Sequence, residues 1–199
     1  MVYNGTSFIE SSHLLRYACI IDFITKRYVN KKTDCFNLKT KLFYPYGNKL
    51  VDTWEHIKKN TENNIDGLIF TPVDNPIKFG RDYSLFKWKE INTMDLLVKK
   101  INSKIELYGI RKNINYLFKS YCSKNINYTT ILNYTTILNY CKDNNLDTAK
   151  GVIIEFKYTL DDIFTPYRIR LDKDKPNGEI TIENTLKNIQ EAIEIKDII

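Results

Sequence analysis

An α+β fold in two parts is what this sequence predicts, and three observations predict it. An apolar stripe at helical spacing lies near the start, strand-like runs recur from Ile65 to Asp172, and a second helical stripe occupies the tail. The 199 residues are 43% hydrophobic and 27% charged, a balance that builds one or two small cores rather than a disordered chain.

The first helix is expected over residues 11–28. Leu14, Leu15, Ala18, Ile21 and Ile24 recur on one side, and Ser11 or Ser12 can cap it by accepting from a first-turn backbone N–H. Residues 36–44, FNLKTKLFY, alternate and predict a strand that Pro45, Gly47 and Asn48 end. A second helix is expected over 49–60, with Val51, Trp54 and Ile57 on one side. After Asn63-Asn64, the run IDGLIFTPV predicts a short strand stopped by Pro72, and SLFKWKEI, 84–91, predicts another. MDLLVKKI and SKIELYGI give two more.

Residues 112–150 are polar and less regular, and hold the direct repeat NYTTILNYTTILNY, 127–140. Its six-residue period is too short for a solenoid unit. The repeat is therefore expected to be a tandem duplication in a tolerant loop or at a strand edge, where its β-branched and aromatic residues would be an aggregation hazard. GVIIEFKY, 151–158, and PYRIRLD, 166–172, predict antiparallel strands joined through 159–165. From Thr181 onward Ile182, Leu186, Ile189 and Ile193 fall at helical spacing. The division is expected near residue 98, giving a mixed part, 1–98, and a smaller β-rich part with a terminal helix, 99–199.

Charge and cysteine usage narrow the classes of function. The net charge is +6 and the pI about 9.0, which favours nucleotide, RNA or DNA as partner, although a general preference for Lys, Asn, Ile and Tyr would give the same balance. Cys19, Cys35, Cys122 and Cys141 match neither a CxxC pair nor a zinc knuckle, and His13 and His56 have no histidine four residues on. The thiols are expected to be reduced and at least half-buried, with no metal among them. No charged leader precedes an apolar core, and no run of about 18 apolar residues occurs, so the expectation is an intracellular, soluble protein.

Three constellations carry chemistry. In Asp66-Gly67-Leu68-Ile69, a carboxylate at the mouth of an apolar strand can hold a divalent metal or its water; the ordinary alternative is a turn, for which Asp-Gly is a common pair. In Lys87-Trp88-Lys89, strand alternation puts both ammoniums on one side, with Phe86 and Trp88 on the other. Two cations so close favour an anion between them, and phosphate oxygens meet that demand; the alternative is a solvated face. In Arg168-Ile169-Arg170-Leu171-Asp172-Lys173, alternation places Arg168, Arg170 and Asp172 together and sends Ile169 and Leu171 to the core. Two guanidiniums can grip a pyrophosphate while Asp172 orients one of them; the alternative is an amphipathic strand with a surface ion pair.

Taken in order, D-G-L-I-F-T-P, then L-F-K-W-K-x-x-N-T-M-D, then Y-R-I-R-L-D-K-x-x-P-N resembles motifs IV, V and VI of the capping-enzyme and ligase nucleotidyltransferase superfamily. Thr71-Pro72, Asn92-Thr93-x-Asp95, the Arg168 to Lys173 string and Pro176-Asn177 are similar to the capping branch, and GVIIEFKY resembles the oligonucleotide-binding (OB) fold strand of capping enzymes of large cytoplasmic DNA viruses. The resemblance runs from about residue 36 onward and is weakest over 112–150. It implies the C-terminal part of a nucleotidyltransferase domain (ATP-grasp-like, of the ligase and capping kind), followed by an OB-fold barrel with a terminal helix. It implies a viral protein of the host cytoplasm or virion that takes part in mRNA capping.

The implied reaction transfers GMP from GTP to the 5'-diphosphate end of RNA through a lysyl-GMP intermediate, with Mg2+ or Mn2+. By the same resemblance Asp66 assists the metal, and Lys87 and Lys89 contact the α-phosphate. Arg168, Arg170, Asp172 and Lys173 meet the β- and γ-phosphates. The family's nucleophile lies in a K-x-D-G motif well upstream of motif IV. Here Lys32-Thr33-Asp34-Cys35 has Cys where the motif has Gly, and it stands too near Asp66 for the intervening strands. The chain is therefore expected to lack the nucleophile and, alone, to be inactive; an N-terminal part carrying K-x-D-G would be its partner. Two alternatives stand beside this: a non-catalytic nucleotide- or RNA-binding remnant, and a fragment of a polynucleotide ligase, which would use ATP.

Overall fold

The structure is a computed structural model and describes residues 2–3, 5–28, 35, 38–61, 65–124 and 127–198. The chain separates into two compact units, 1–90 and 91–198. The break expected near residue 98 falls inside a strand of the second unit.

In the first unit, β1 (Val2–Tyr3) and β2 (Thr6–Ser7) form a short hairpin ahead of α1 (His13–Lys26). Ser12 caps α1, its hydroxyl accepting from the Leu15 N–H at 3.2 Å. The helix lies where its periodicity placed it, but its stripe is not its buried face. Leu14 and Leu15 are exposed, and Arg16 is the buried residue. The Arg16 guanidinium donates to the Asn75 carbonyl at 3.2 Å and to the Ser11 carbonyl, which ties the helix to the 73–77 segment. Residues 38–46 form no strand, contrary to the alternation of 36–44; Phe36 and Asn37 lie outside the described residues. Alternation predicts a strand only where a partner ladder exists to satisfy its backbone.

α2 (Leu50–Asn60) buries Leu50 and Trp54. The Trp54 ring meets Trp88 edge to face, with centroids 5.4 Å apart, and its indole N–H donates to Glu90 at 3.4 Å. β3 (Gly67–Phe70) pairs antiparallel with β4 (Phe86–Lys89), so that Gly67 faces Lys89 and Ile69 faces Lys87.

The second unit is an antiparallel sheet in the order β7-β6-β5-β8-β9, built from β5 (Thr93–Ile101), β6 (Lys104–Arg111), β7 (Ile114–Cys122), β8 (Val152–Tyr158) and β9 (Phe164–Ile169). β8 and β9 pair as their sequences predict. β7, which sequence reading left irregular, is nine residues long. One face carries the core: Met94, Leu96, Val98, Ile105, Leu107, Ile154 and Phe156, covered by Ile137 and Cys141 of α3 (Tyr128–Asp143). α4 (Glu179–Glu191) seats Ile182 beside Gly109, where a Cβ would stand 2.7 Å from the Ile182 Cδ1.

The edge strands β7 and β9 share no hydrogen-bonded ladder, so the sheet is not the closed barrel expected of this unit. They meet through side chains instead. The Phe164 ring lies 6.0 Å from Phe118 and 6.2 Å from Tyr121, which curls the sheet around the core.

The repeat is the largest correction. Residues 128–143 are helical, so the repeat forms a helix and its N-cap and not a loop or a strand edge. Asn127 caps the helix, accepting from the Thr130 N–H at 3.2 Å. Tyr134, Ile137, Leu138 and Cys141 face the core at helical spacing. Burial of that stripe outweighs the strand preference of the Thr, Ile and Tyr residues.

Candidate active site

A glycine fixes the first cluster. Gly67 has φ +154°, and a Cβ there would stand 2.0 Å from the Trp88 carbonyl oxygen, so no residue with a side chain fits without moving β4. That close approach sets Asp66 at the mouth of the hairpin. On the neighbouring strand Trp88 turns inward onto Trp54, and the two flanking lysines turn to the other side. Both reach the same carboxylate oxygen: Lys87 Nζ is 3.4 Å and Lys89 Nζ 3.6 Å from Asp66 Oδ2. The Lys89 charge is the largest influence on the Asp66 carboxyl; burial opposes it, and the Lys87 charge with the contacts from both lysines leaves the group below the usual carboxylate range. Two ammoniums share one carboxylate at a solvent-accessible site, which leaves one positive charge in excess. A multi-oxygen anion can bridge that pair as charge-assisted acceptor.

The second cluster lies wholly in the 91–198 unit, on the sheet face away from the core. Asp95 of β5 stands directly opposite Glu155 of β8, and Glu155 directly opposite Arg168 of β9. Two facing carboxylates repel, so this row needs cations. Arg168 donates through Nε to Glu155. Arg170 Nη1 donates to Asp95 at 2.8 Å and to Glu155 at 3.3 Å. Its Nε and Nη2 clasp Asp172 at 2.9 and 2.8 Å. Lys173 donates to Asp95. Three cations thus meet three carboxylates.

Burial pushes the Glu155 carboxyl up, but the Thr93 hydroxyl and Arg168 outweigh it and leave the group lowered. The Arg170 clasp holds Asp172 well below the ordinary range, and Asp172 in turn raises Arg170.

This cluster matches its sequence reading in part. Asp172 does orient Arg170. However, β9 ends at Ile169, so Arg170 and Asp172 lie in the following turn, and Leu171 is 93% exposed instead of entering the core. Asp95, Glu155 and Asn177 are the residues that reasoning on the motif alone missed. Asn177 locks the turn to β5: its Oδ1 accepts from the Asp95 N–H at 2.8 Å, and its own N–H donates to the Asp95 carbonyl at 2.8 Å. The strings N-T-M-D and P-N held the signal, since they supply Thr93, Asp95 and Asn177.

Lys32, Thr33 and Asp34 of the K-x-D-C string lie outside the described residues, and Cys35 is exposed, against the expectation of a half-buried thiol. Among the described residues no helix is long and apolar enough to cross a membrane. Residues 6–91 match the family model described as mRNA capping enzyme, catalytic domain. Asp66, Lys87 and Lys89 fall inside the matched segment, and the Arg170 network falls outside it.

Proposed function

We propose that this chain supplies the metal- and phosphate-binding motifs of an mRNA guanylyltransferase of the large-DNA-virus type, which moves GMP from GTP to the 5'-diphosphate end of RNA. The observation that carries the reading is the convergence of Lys87 and Lys89 on Asp66 within a segment that matches a capping catalytic domain. In this reading Lys87 and Lys89 contact the α-phosphate and balance the charge that develops as it transfers. Among the described residues no three acidic, cysteine or histidine side chains group to cage a metal. A lone carboxylate fits Mg2+ or Mn2+ in the mode where substrate phosphates and water complete the shell, with Asp66 as the protein ligand. When bound, such an ion would neutralise part of the triphosphate charge.

The strand order of the second unit, with α3 between β7 and β8, supports an OB-type reading of 91–198. There Arg168 and Lys173 would reach the β- and γ-phosphates, while Arg170, clasped by Asp95, Glu155 and Asp172, would hold them in place. The chemistry is a double displacement. A deprotonated lysine amine attacks the α-phosphorus, the bond to the bridging β-oxygen breaks, and pyrophosphate departs with that electron pair. An oxygen of the RNA diphosphate end then displaces the lysine and regenerates the amine. The nucleophile in this reading comes from a partner carrying K-x-D-G.

Calorimetric titration with GTP and Mg2+ tests the proposal. Lys87→Ala and Lys89→Ala should each weaken binding by about 1–3 kcal/mol. Absence of GTP binding would overturn the reading, and preference for ATP would mark a ligase fragment. Incubation with labelled GTP should leave no covalent adduct on the chain alone, whereas a labelled band lost in Lys32→Ala would make Lys32 the nucleophile. A non-catalytic remnant, which Cys35 in place of the motif glycine favours, would bind GTP yet form no adduct with a K-x-D-G chain present.

A further inference from the structure

We infer that the free edge of β3 is where the partner carrying K-x-D-G joins this chain, by adding a β-strand of its own. The inference rests on the capping reading above for the partner's identity, and it deepens that reading by assigning the surface. β3 and β4 form a sheet of two strands, and among the described residues neither has a ladder on its outer edge. No loop backbone among the described residues bonds to residues 67–70 either. A ribbon of two strands is marginal by itself in water, and a bare edge is a template for another strand. The two edges differ. β4 carries Lys87 and Lys89, charges of the kind that discourage pairing. Gly67-Leu68-Ile69-Phe70 has no charge and no proline, and its ladder with β4 runs without a bulge.

Apolar surface in the same unit points to a polypeptide as the occupant. Ile69 and Phe86 are exposed on opposite faces of the ribbon. Leu14, Leu15, Ile20, Ile21 and Phe23 of α1 are exposed too, and at 100° per residue they project to every side of the helix. A helix that is apolar all round is ordinarily buried. The position of β3 decides which polypeptide. Neighbouring strands lie about 4.8 Å apart, so a strand beside β3 runs about 10 Å from β4. Its alternate side chains fall on the face that Lys87 and Lys89 use. A lysine there faces the phosphate that this pair would hold, and the proposed transfer needs such a lysine. A second copy of this chain would present Gly67–Phe70 again, which contains none.

The probe is the K-x-D-G part of a capping nucleotidyltransferase, produced as a separate polypeptide and mixed with this chain. Amide hydrogen exchange, read by mass spectrometry, should slow at least tenfold over residues 66–71 on mixing. Ile69→Lys sets a charge on the exposed edge and should weaken association at least tenfold, while Ile69→Val retains it. Both variants should keep native tryptophan fluorescence, since Trp54 and Trp88 lie in this unit. The exchange measurement on the unaltered chain stands whether or not Ile69→Lys folds. Association with unchanged exchange over 66–71 would overturn the inference and leave the capping reading in place. Protection of 66–71 that grows with the concentration of this chain alone would also overturn it, because the occupant would be a second copy. So would absence of association in a chain that still binds GTP. Failure of the unaltered chain to bind GTP would instead strike the capping reading, and with it the identity of the partner.

Discussion

Asp66 and Gly67 divide their work: the first offers a carboxylate, and the second allows two strands to approach closely enough to aim it. Gly67→Ala should therefore cost more than about 1 kcal/mol, since the new methyl meets backbone 2.0 Å away, and GTP binding should fall with it. Asp66→Asn should leave the melting temperature nearly unchanged, because the pairs it makes are exposed. In the second unit Glu155 has the opposite character, being buried and ringed by cations. Its folded-state pKa is depressed, so its contribution to stability is present above the ordinary carboxylate range and is lost as pH falls through the lowered value. The melting temperature should fall once pH drops below about 4, and Glu155→Gln should flatten that fall. Arg170→Ala should cost about 3–5 kcal/mol in urea unfolding, because it strips a cation from two facing buried carboxylates.

At the scale of the element, α3 shows how one repeated string does different jobs. Six residues advance a helix by about 600°, so successive copies face different ways. Asn127 caps the helix, Asn139 faces solvent, and Asn133 is fully buried. Asn133 bridges the turn before β9: its amide N–H donates to the Asp162 carbonyl, and its oxygen accepts from the Phe164 N–H, both at 2.8 Å. Asn133→Ala strands two backbone groups and should cost about 3 kcal/mol, while Asn139→Ala should stay within about 0.5 kcal/mol. Chemical denaturation of both variants checks this, and equal effects would contradict the buried bridge.

Considered whole, the molecule divides its core unevenly. Among the described residues Leu50 and Trp54 are the buried hydrophobics of the first unit, while a continuous cluster from Met94 to Ile182 fills the second. Stability follows apolar burial, so the 91–198 unit should be the sturdier one. Both tryptophans, Trp54 and Trp88, lie in the first unit and report on it alone. Tryptophan fluorescence should therefore lose its native signal at lower urea than far-UV circular dichroism, and the segment 91–198 produced alone should unfold cooperatively. Coincident transitions would show that the two units fold as one.

The sequence by itself determined the α+β class, both early helices, the β3 and β4 strands, the β8–β9 hairpin and the tail helix. Each of these is written in local periodicity and turn chemistry that hold in any context. It also determined that Lys87 and Lys89 share a face, since strand alternation demands it. Only the tertiary structure decided the rest. The repeat became a helix because the core beneath the sheet accepts Tyr134, Ile137, Leu138 and Cys141, a stripe legible in the sequence but outvoted there by β-branched residues. The 38–46 stretch stayed irregular for want of a paired ladder. Arg170 became the hub of a charge network because Asp95 and Glu155, sixty positions apart in the chain, are brought opposite one another by strand register. Alternation fixes which face each residue takes, but which strands become neighbours is a long-range property that only the fold decides.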